Sequence, residues 1–232
     1  LNKANLIDIN QADVFIHSWS VNAREKLTTL YKPKAFIIEQ QKEFPQSKLL
    51  AKNISLKEKC KNLAYSWVKA QEGKVIRENR EREAFRACSR WYSSKQTIEL
   101  KKKYEEEMGF KYDAVIVTRL DVGFYTPLEL SGYDQTFFYA SHWNDYPVAA
   151  NGYTMNYENH NVGKALLDFW FFTNSADMDR FSTLFDRVTD YSISPHSAAY
   201  QHISRLGLCV KNTLYRWQDH EMIRRKVYAA TK

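Results

Sequence analysis

The sequence predicts a single α/β domain built on a mostly parallel central sheet flanked by helices. Short apolar segments of strand length alternate with segments whose apolar residues recur at helical spacing. A chain of 232 residues that is 44% hydrophobic and 26% charged is long enough to bury one large core. Strands that alternate with helices favour parallel pairing, so we expect a mostly parallel sheet with a less regular second half.

Strands are predicted where β-branched and aromatic runs end in polar residues. The predicted strands are residues 12–19, 34–39, 113–121, 136–142, 169–173 and 208–213. The run at 113–121 is the clearest buried strand, because no charge interrupts it between Asp113 and Arg119. In α/β sheets ligands bind at the carboxyl ends of strands, so polar residues there are the first candidates for a site.

Helices are predicted from apolar stripes together with residues that begin or end a helix. They are 27–31 before Pro33, 55–73 between the Ser55/Glu58 capping box and Gly73, 91–108 before Gly109, 174–190 capped by Asn174, and 195–206 before Gly207. Residues 44–53 are mostly polar and are predicted to form a loop.

Composition excludes several classes of protein. The seven glycines form neither a G-x-G-x-x-G fingerprint nor a P-loop, so no glycine-rich phosphate loop is predicted. Three unpatterned cysteines, Cys60, Cys88 and Cys209, exclude a disulfide scaffold and favour a reducing, cytoplasmic setting. No apolar run reaches the roughly 18 residues of a membrane span, and the first ten residues lack a signal-peptide pattern.

Charge is distributed unevenly around a net +7. Residues 42–112 carry a net +8 and residues 210–232 a net +4, whereas residues 113–209 carry a net −6. A nucleic-acid binder usually spreads one basic face without a strongly acidic partner segment, so no nucleic-acid partner is expected. The split suits a site that holds phosphate beside a polyol, although a solvated, charged helical region explains the lysines equally well.

Arg119 and Asp121 end the most apolar strand. A carboxylate in this position, together with substrate phosphates, suffices to hold a divalent cation. Arg119 lies two residues earlier on the same face, and its guanidinium suits a phosphate. His17, at the end of the first predicted strand, is expected at the same edge of the sheet. A structural ion pair between Arg119 and Asp121 is the open alternative.

Five further residues are candidates by their chemistry. Ser93 and Lys95 lie beside a predicted helix, where Lys95 suits a diphosphate and can equally be a solvated lysine. Asp168 interrupts the apolar run 165–172, which is costly unless its carboxylate has partners or a function. His196 is a candidate metal ligand, as is His202, although a lone histidine on a helix is usually not a ligand.

Several motifs occur in a characteristic order. They are Val14-Phe-Ile-His-Ser-Trp19, Leu30-Tyr-Lys-Pro-Lys34, Ile37-Ile-Glu-Gln-Gln41, Trp91-Tyr-Ser-Ser94, Glu99-Leu-Lys-Lys-Lys-Tyr-Glu105 and Phe110-Lys-Tyr-Asp-Ala-Val-Ile-Val-Thr-Arg-Leu-Asp121. Together the motifs resemble a family of GT-A-type glycosyltransferases of bacteria and of large DNA viruses or phages. The similarity covers roughly residues 10–215.

The resemblance implies a Rossmann-like GT-A domain, a nucleotide-diphosphate-sugar donor, usually Mn²⁺ or Mg²⁺, and a saccharide or glycoconjugate acceptor. Arg119-Leu-Asp121 takes the place of the family's Asp-x-Asp motif. Because Arg119 replaces the first acidic residue, metal dependence is expected to be weak or to rest on Asp121, with His196 as a second ligand. Donor contacts are expected from His17, Ser93, Lys95, Arg119 and Asp121.

The second half is expected to bind the acceptor. Asp168 would accept the acceptor's proton in an inverting transfer, with an element-end cap as the alternative. Residues of the types that bind sugars, through hydrogen bonds and an aromatic face, follow a strand, although a turn with a buried Trp143 explains them too. They are His142, Trp143, Asn144 and Asp145.

The predicted halves are residues 1–121 for the nucleotide sugar and 122–215 for the acceptor, followed by a basic tail at 216–232. Two rival functions stay open. The first rival is an inactive or truncated domain that binds glycans or a protein. It fits the lost acidic residue. It also fits a start that lacks the strand and polar turn with which family members usually begin. The basic stretch leaves a nucleic-acid binder as the third hypothesis.

Overall fold

A computed structural model describes residues 2–52, 70–142 and 165–223. The described chain is mixed α/β, as predicted. Its α-helices are α1 (Arg24–Tyr31), α2 (Pro45–Lys52), α3 (Ala70–Met108), α4 (Ser175–Ser182) and α5 (Pro195–Leu206). Its strands are β1 (Phe15–Ser18), β2 (Ala35–Ile38), β3 (Val115–Thr118), β4 (Val122–Phe124), β5 (Phe138–His142), β6 (Leu167–Thr173), β7 (Val210–Tyr215) and β8 (His220–Met222).

Short helical turns of other kinds complete the described elements. A π-helix spans Lys3–Asp8, and 3₁₀ turns span Val21–Ala23, Leu130–Gly132 and Phe185–Asp190. No helix among the described residues combines the length and apolar character needed to cross a bilayer.

Parallel and antiparallel pairs are mixed in the described sheets. β1 and β2 form a parallel pair, and β4 and β8 an antiparallel pair. The four-stranded sheet has the order β3-β6-β5-β7, with β6 antiparallel to both of its neighbours and β7 parallel to β5. The prediction of a mostly parallel sheet is therefore wrong for these strands, because local sequence pattern does not encode strand direction.

Hydrophobic cores lie on both faces of the four-stranded sheet. On one face Phe138 and Phe171 pack with Trp91 of α3 and with residues of α4 and α5. On the other face Trp170 and Phe172 pack with residues around β4, including Val122, Phe124 and Leu128, and with Leu6 of the π-helix. Every residue of β6 is buried, so this strand is the centre of the described fold.

Helix α3 is longer than the predicted 91–108 helix. It begins by Ala70, and Gly73 lies inside it instead of ending it. Gly109 follows its last residue with φ +73°, as expected of a residue after a helix C-terminus. The buried residues Ala84, Ala87, Cys88, Trp91 and Ile98 recur at helical spacing on its core face. Most of the predicted helix at 55–73 lies outside the described residues.

The other predicted helices and loops are confirmed in some places and wrong in others. The helix at 195–206 is confirmed, with Pro195 in its first turn and Gly207 after its end. The loop prediction for 44–53 is wrong, because Pro45 begins α2, which buries Leu50 and Ala51. The predicted helix 174–190 is two elements, α4 and a 3₁₀ turn. Strands β4 and β8 were not predicted, because three residues are too few to show alternation.

A buried ionic network ties the end of α3 to the start of α4. Lys101 Nζ lies 3.1 Å from Glu105 Oε2, 2.6 Å from Ser175 Oγ and 2.6 Å from Asp179 Oδ1. Lys111 Nζ donates to Glu105 Oε2 at 2.7 Å. Burial alone would raise the pKa of Glu105, but the hydrogen bonds from Lys111, Ser175 and the network's other donors outweigh it and lower that pKa to about 2.

Replacing Gly207 with Ala is expected to lower the free energy of unfolding by about 1 kcal/mol, because an L-residue is strained at left-handed φ. Gly207 has φ +68° and no neighbour within 4 Å of an added Cβ, so the cost of the added Cβ is backbone strain and not a steric clash. Gly132 has equal space but no positive φ, so Gly132→Ala is the matched control. Equal effects of the two substitutions in urea denaturation would contradict this account.

Glu105→Gln is expected to flatten the acid dependence of stability. A carboxyl whose folded pKa lies near 2, below the ordinary value of 4.5 for a glutamate, stabilises the fold fully above about pH 4.5. That contribution, about 3 kcal/mol by linkage, is lost as the pH falls towards 2. Urea denaturation between pH 7 and pH 2 measures it, with the exposed Glu106→Gln as control. Parallel stability curves for wild type and Glu105→Gln would contradict the network's role.

Candidate functional site

A cavity of about 1560 Å³ lies between β1 and β3. Residues 13–20, around β1, and 113–121, around β3, line it along their whole length. Helix α3 and the start of α5 complete the lining. Typical small-molecule pockets occupy roughly 300–1,000 Å³, so this cavity is large.

Five charged or titratable side chains from four parts of the fold meet at one end of this cavity. We call them the strand-end cluster: Arg90 from α3, Arg119 and Asp121 after β3, Asp168 from β6, and His196 from α5. They meet because Arg119 N–H pairs with the carbonyl of Phe169, one residue after Asp168, where β6 begins and β3 ends. Four of the five were predicted from the sequence, and the structure brings those four together.

Asp168 is the most buried member of the strand-end cluster, at 4% exposure. Its Oδ1 lies 3.2 Å from His196 Nδ1. Its Oδ2 lies 3.8 Å from Arg90 Nε and 3.8 Å from Arg119 Nη1. The predicted cost of a carboxylate inside an apolar run is therefore offset by two guanidinium groups and one imidazole.

Arg119 and Asp121 form a two-point ion pair. Arg119 Nε donates to Asp121 Oδ1 at 2.9 Å, and Nη2 donates to Oδ2 at 3.0 Å. Burial alone would lower the pKa of Arg119, but Asp121 and Asp168 outweigh it and raise that pKa. The structural ion pair left open by the sequence is thus present, and it lies in the wall of the cavity.

Arg90 is the member that sequence reasoning missed. Its guanidinium donates to the carbonyl of Asp168 at 3.1 Å and to the Ser94 hydroxyl, while Nε has no hydrogen-bond partner among the described residues. Burial, chiefly, lowers the pKa of Arg90 to about 10, so the side chain stays protonated at neutral pH. Arg90 lies in a stretch with many charged residues, so the local sequence does not distinguish it from them. What distinguishes Arg90 is its position on the face of α3 that borders the cavity.

His196 joins the cluster from the first turn of α5. Burial lowers its pKa, while the carboxylate of Asp168 opposes that shift. Its Nδ1 lies 3.2 Å from the backbone N–H of Asp168 and 3.2 Å from the carbonyl of Leu166, so its tautomer depends on which contact dominates. Its close neighbour is therefore Asp168, whereas the sequence paired it with Asp121.

Of the other predicted donor residues, His17 and Ser93 line the cavity and Lys95 does not. His17 is buried against Trp19, and its Nε2 lies 3.3 Å from Glu39 Oε1. Lys95 Nζ lies 2.5 Å from Asp186 Oδ1 instead. The physical reason is helical geometry, since Lys95 lies one residue beyond the face of α3 that borders the cavity.

The predicted acceptor residues are not brought to the cavity by the described structure. The ring of His142 stacks on Tyr215, with centroids 4.3 Å apart, and does not line the cavity. Trp143, Asn144 and Asp145 lie outside the described residues. His202, the other candidate ligand, is buried with its Nδ1 2.8 Å from the hydroxyl of Tyr191.

The described residues do not form a ligand set for a divalent cation. Each carboxylate oxygen of Asp121 receives a hydrogen bond from Arg119, which competes with a metal for the same lone pairs. No group of three His, Cys, Asp or Glu side chains is placed to hold a metal within the part of the chain that the structure describes. The Mn²⁺ or Mg²⁺ implied by the resemblance therefore stays a prediction.

No protein-family model matches this chain, and the search of curated proteins finds no match.

Asp168→Asn is expected to lower the pKa of His196, because the Asp168 carboxylate is the charge that opposes the effect of burial. An NMR titration of the histidine ring signals measures the change. Asp186→Asn, which alters the ion pair of Lys95 instead, is the control and should leave the His196 titration in place. An unchanged or raised pKa of His196 in Asp168→Asn would contradict the assigned contact.

Proposed function

We propose that this protein is a glycosyltransferase that moves a sugar from a nucleotide-diphosphate donor to a saccharide or glycoconjugate. The observation that carries the proposal is the strand-end cluster in the wall of the cavity. The cluster combines two guanidinium groups with two carboxylates at the carboxyl end of β3, the end at which α/β sheets bind ligands. Diphosphates and sugar hydroxyls are the groups that such a pair of charges recognises.

The donor diphosphate is assigned to Arg90 and Arg119. Arginine presents a planar fork of donors that matches phosphate oxygens, and its charge persists when water is excluded. In glycosyl transfer the bond between the anomeric carbon and a diphosphate oxygen breaks, and the diphosphate leaves with the electron pair. Guanidinium groups beside that oxygen stabilise the negative charge that develops on it.

The acceptor proton is assigned to Asp168. As the acceptor oxygen bonds to the anomeric carbon, its proton must pass to a base within hydrogen-bond reach. Asp168 lines the cavity, and its Oδ1 lies 3.2 Å from His196 Nδ1, so the imidazole is placed to share the proton or to orient the carboxylate. This assignment applies to an inverting transfer, because a retaining transfer needs no such base.

A glycan-binding module is the second candidate function. The observation that favours it is the two-point pairing of Arg119 with Asp121, which occupies both groups with each other. In a transferase the donor diphosphate must compete with Asp121 for Arg119. A module that binds neutral sugars can leave this ion pair intact. The two functions therefore differ in whether a nucleoside diphosphate binds.

Calorimetric titration with uridine and guanosine diphosphates, with Mn²⁺, Mg²⁺ or EDTA, tests the proposal. We expect one diphosphate to bind and Arg119→Ala to weaken it by about 10- to 100-fold, the effect of losing one charge-assisted contact. Lys95→Ala removes an equal charge outside the cavity, so it is the matched control and should bind as wild type does.

Turnover is tested with a panel of nucleotide sugars and saccharide acceptors. We expect transfer or donor hydrolysis, and its loss in Asp121→Ala. Glycan binding without diphosphate binding would establish the module instead. If no diphosphate binds under any condition, or if Lys95→Ala weakens binding as much as Arg119→Ala does, the proposed function is wrong.

A further inference from the structure

A second cavity, of about 530 Å³, lies outside the carboxyl ends of the parallel strands β1 and β2. Its volume is within the roughly 300–1,000 Å³ of typical small-molecule pockets. The described residues that line it are 19–23, in the loop after β1, and 40–41, in the loop after β2, so we call it the loop cavity. Carboxyl ends of parallel strands are where α/β folds bind ligands, and the loop cavity is therefore a candidate site in its own right.

The lining of the loop cavity is polar but uncharged. None of its seven described residues carries a charge, and four of them have hydroxyl or amide side chains: Ser20, Asn22, Gln40 and Gln41. The amides of Asn22 and Gln40 are exposed and have no hydrogen-bond partner among the described residues. An amide both donates and accepts hydrogen bonds, as does a sugar hydroxyl, so these side chains match the polar groups of a saccharide.

Trp19 supplies an aromatic surface to the loop cavity and is held in place by three other rings. Its indole stacks on Tyr92 of α3, with ring centroids 5.5 Å apart and planes 22° apart. The rings of His17 and Phe44 lie nearly perpendicular to it, with centroids at 4.5 Å and 6.1 Å. A ring fixed in this way loses little entropy when a ligand binds, and an aromatic face suits the C–H surface of a sugar ring.

The charged residues on either side of Gln40 and Gln41 are paired with each other. Glu39 Oε2 lies 2.8 Å from Lys42 Nζ, and Glu39 Oε1 lies 3.3 Å from His17 Nε2. Lys42 Nζ also donates to the hydroxyl of Tyr92 at 3.0 Å. Because Glu39 and Lys42 neutralise each other, the loop after β2 offers no surplus charge, and the loop cavity favours a neutral ligand over a phosphate.

The loop cavity adjoins the cavity of about 1560 Å³ that holds the strand-end cluster. Trp19, Ser20 and Gln41 line both cavities. Gln41 Oε1 accepts a hydrogen bond from Ser89 Oγ at 3.2 Å, and Ser89 directly precedes Arg90 of the strand-end cluster on α3. A molecule in the loop cavity can therefore extend into the larger cavity on the side of Arg90.

From these observations we propose that the loop cavity binds a neutral saccharide, with Asn22 and Gln40 bonded to its hydroxyls and Trp19 packed against its C–H face. The choice of a saccharide among neutral ligands rests on the proposed function, in which this saccharide is the acceptor. The acceptor extends from the loop cavity into the larger cavity, which Asp168 lines. Acceptor recognition thus lies in the first half of the chain, whereas the sequence predicted it at residues 142–145.

The test is an NMR titration with the methyl glycosides of glucose, galactose, mannose and N-acetylglucosamine, without nucleotide. The reporter is the indole N–H signal of Trp19, identified by its absence in Trp19→Phe. We expect at least one glycoside to shift this signal saturably, and Asn22→Ala/Gln40→Ala to weaken that binding by about tenfold or more, since two hydrogen bonds are lost. The matched control is Asn212→Ala/Gln218→Ala, which removes two exposed amides that line neither cavity.

If no glycoside shifts the Trp19 signal at concentrations well above the millimolar range, the proposal is wrong. Equal weakening by the two double variants would also overturn it. So would a shift caused by uridine or guanosine but by none of the glycosides, because the loop cavity would then hold a nucleoside base. Diphosphate binding without glycoside binding would contradict this proposal alone, and glycoside binding without diphosphate binding would contradict only the transferase.

Discussion

Asp168 is a carboxylate inside an otherwise apolar strand, and the need to offset the cost of its burial constrains the elements around it. A carboxylate taken out of water requires opposite charge and hydrogen bonds nearby. Here α3 supplies Arg90, the end of β3 supplies Arg119 and α5 supplies His196. Two helices and a strand are thereby held in place around the start of β6, where the candidate site lies.

Local sequence signals predicted those parts of the fold that depend on local chemistry. The helix from Pro195 to Leu206 has its boundaries set by a proline and a glycine, and both boundaries were predicted. Strand direction depends on how distant segments meet, so the antiparallel position of β6 was not predicted. Residues 44–53 were predicted to be a loop because the buried residues of this segment, Leu50 and Ala51, are few and follow polar residues.

The candidate site was predictable where one residue breaks a pattern. Asp168 stands out in an apolar run, and Arg119 and Asp121 stand out at the end of another. Arg90 does not, because it is one of many charges in its stretch and only the tertiary fold gives it a buried carboxylate as partner. Lys95 shows the converse error, since its charge suited a phosphate but its position turns it towards Asp186.

The balance of charge in the strand-end cluster has a kinetic consequence. Two guanidinium groups face two carboxylates, and burial keeps the pKa of the imidazole low, so the formal charges of the cluster sum to about zero near neutral pH. Such a cluster projects little field beyond the roughly 8 Å over which physiological salt screens charge. The cluster itself therefore adds little to the long-range attraction of a charged ligand and acts on a ligand chiefly at contact range.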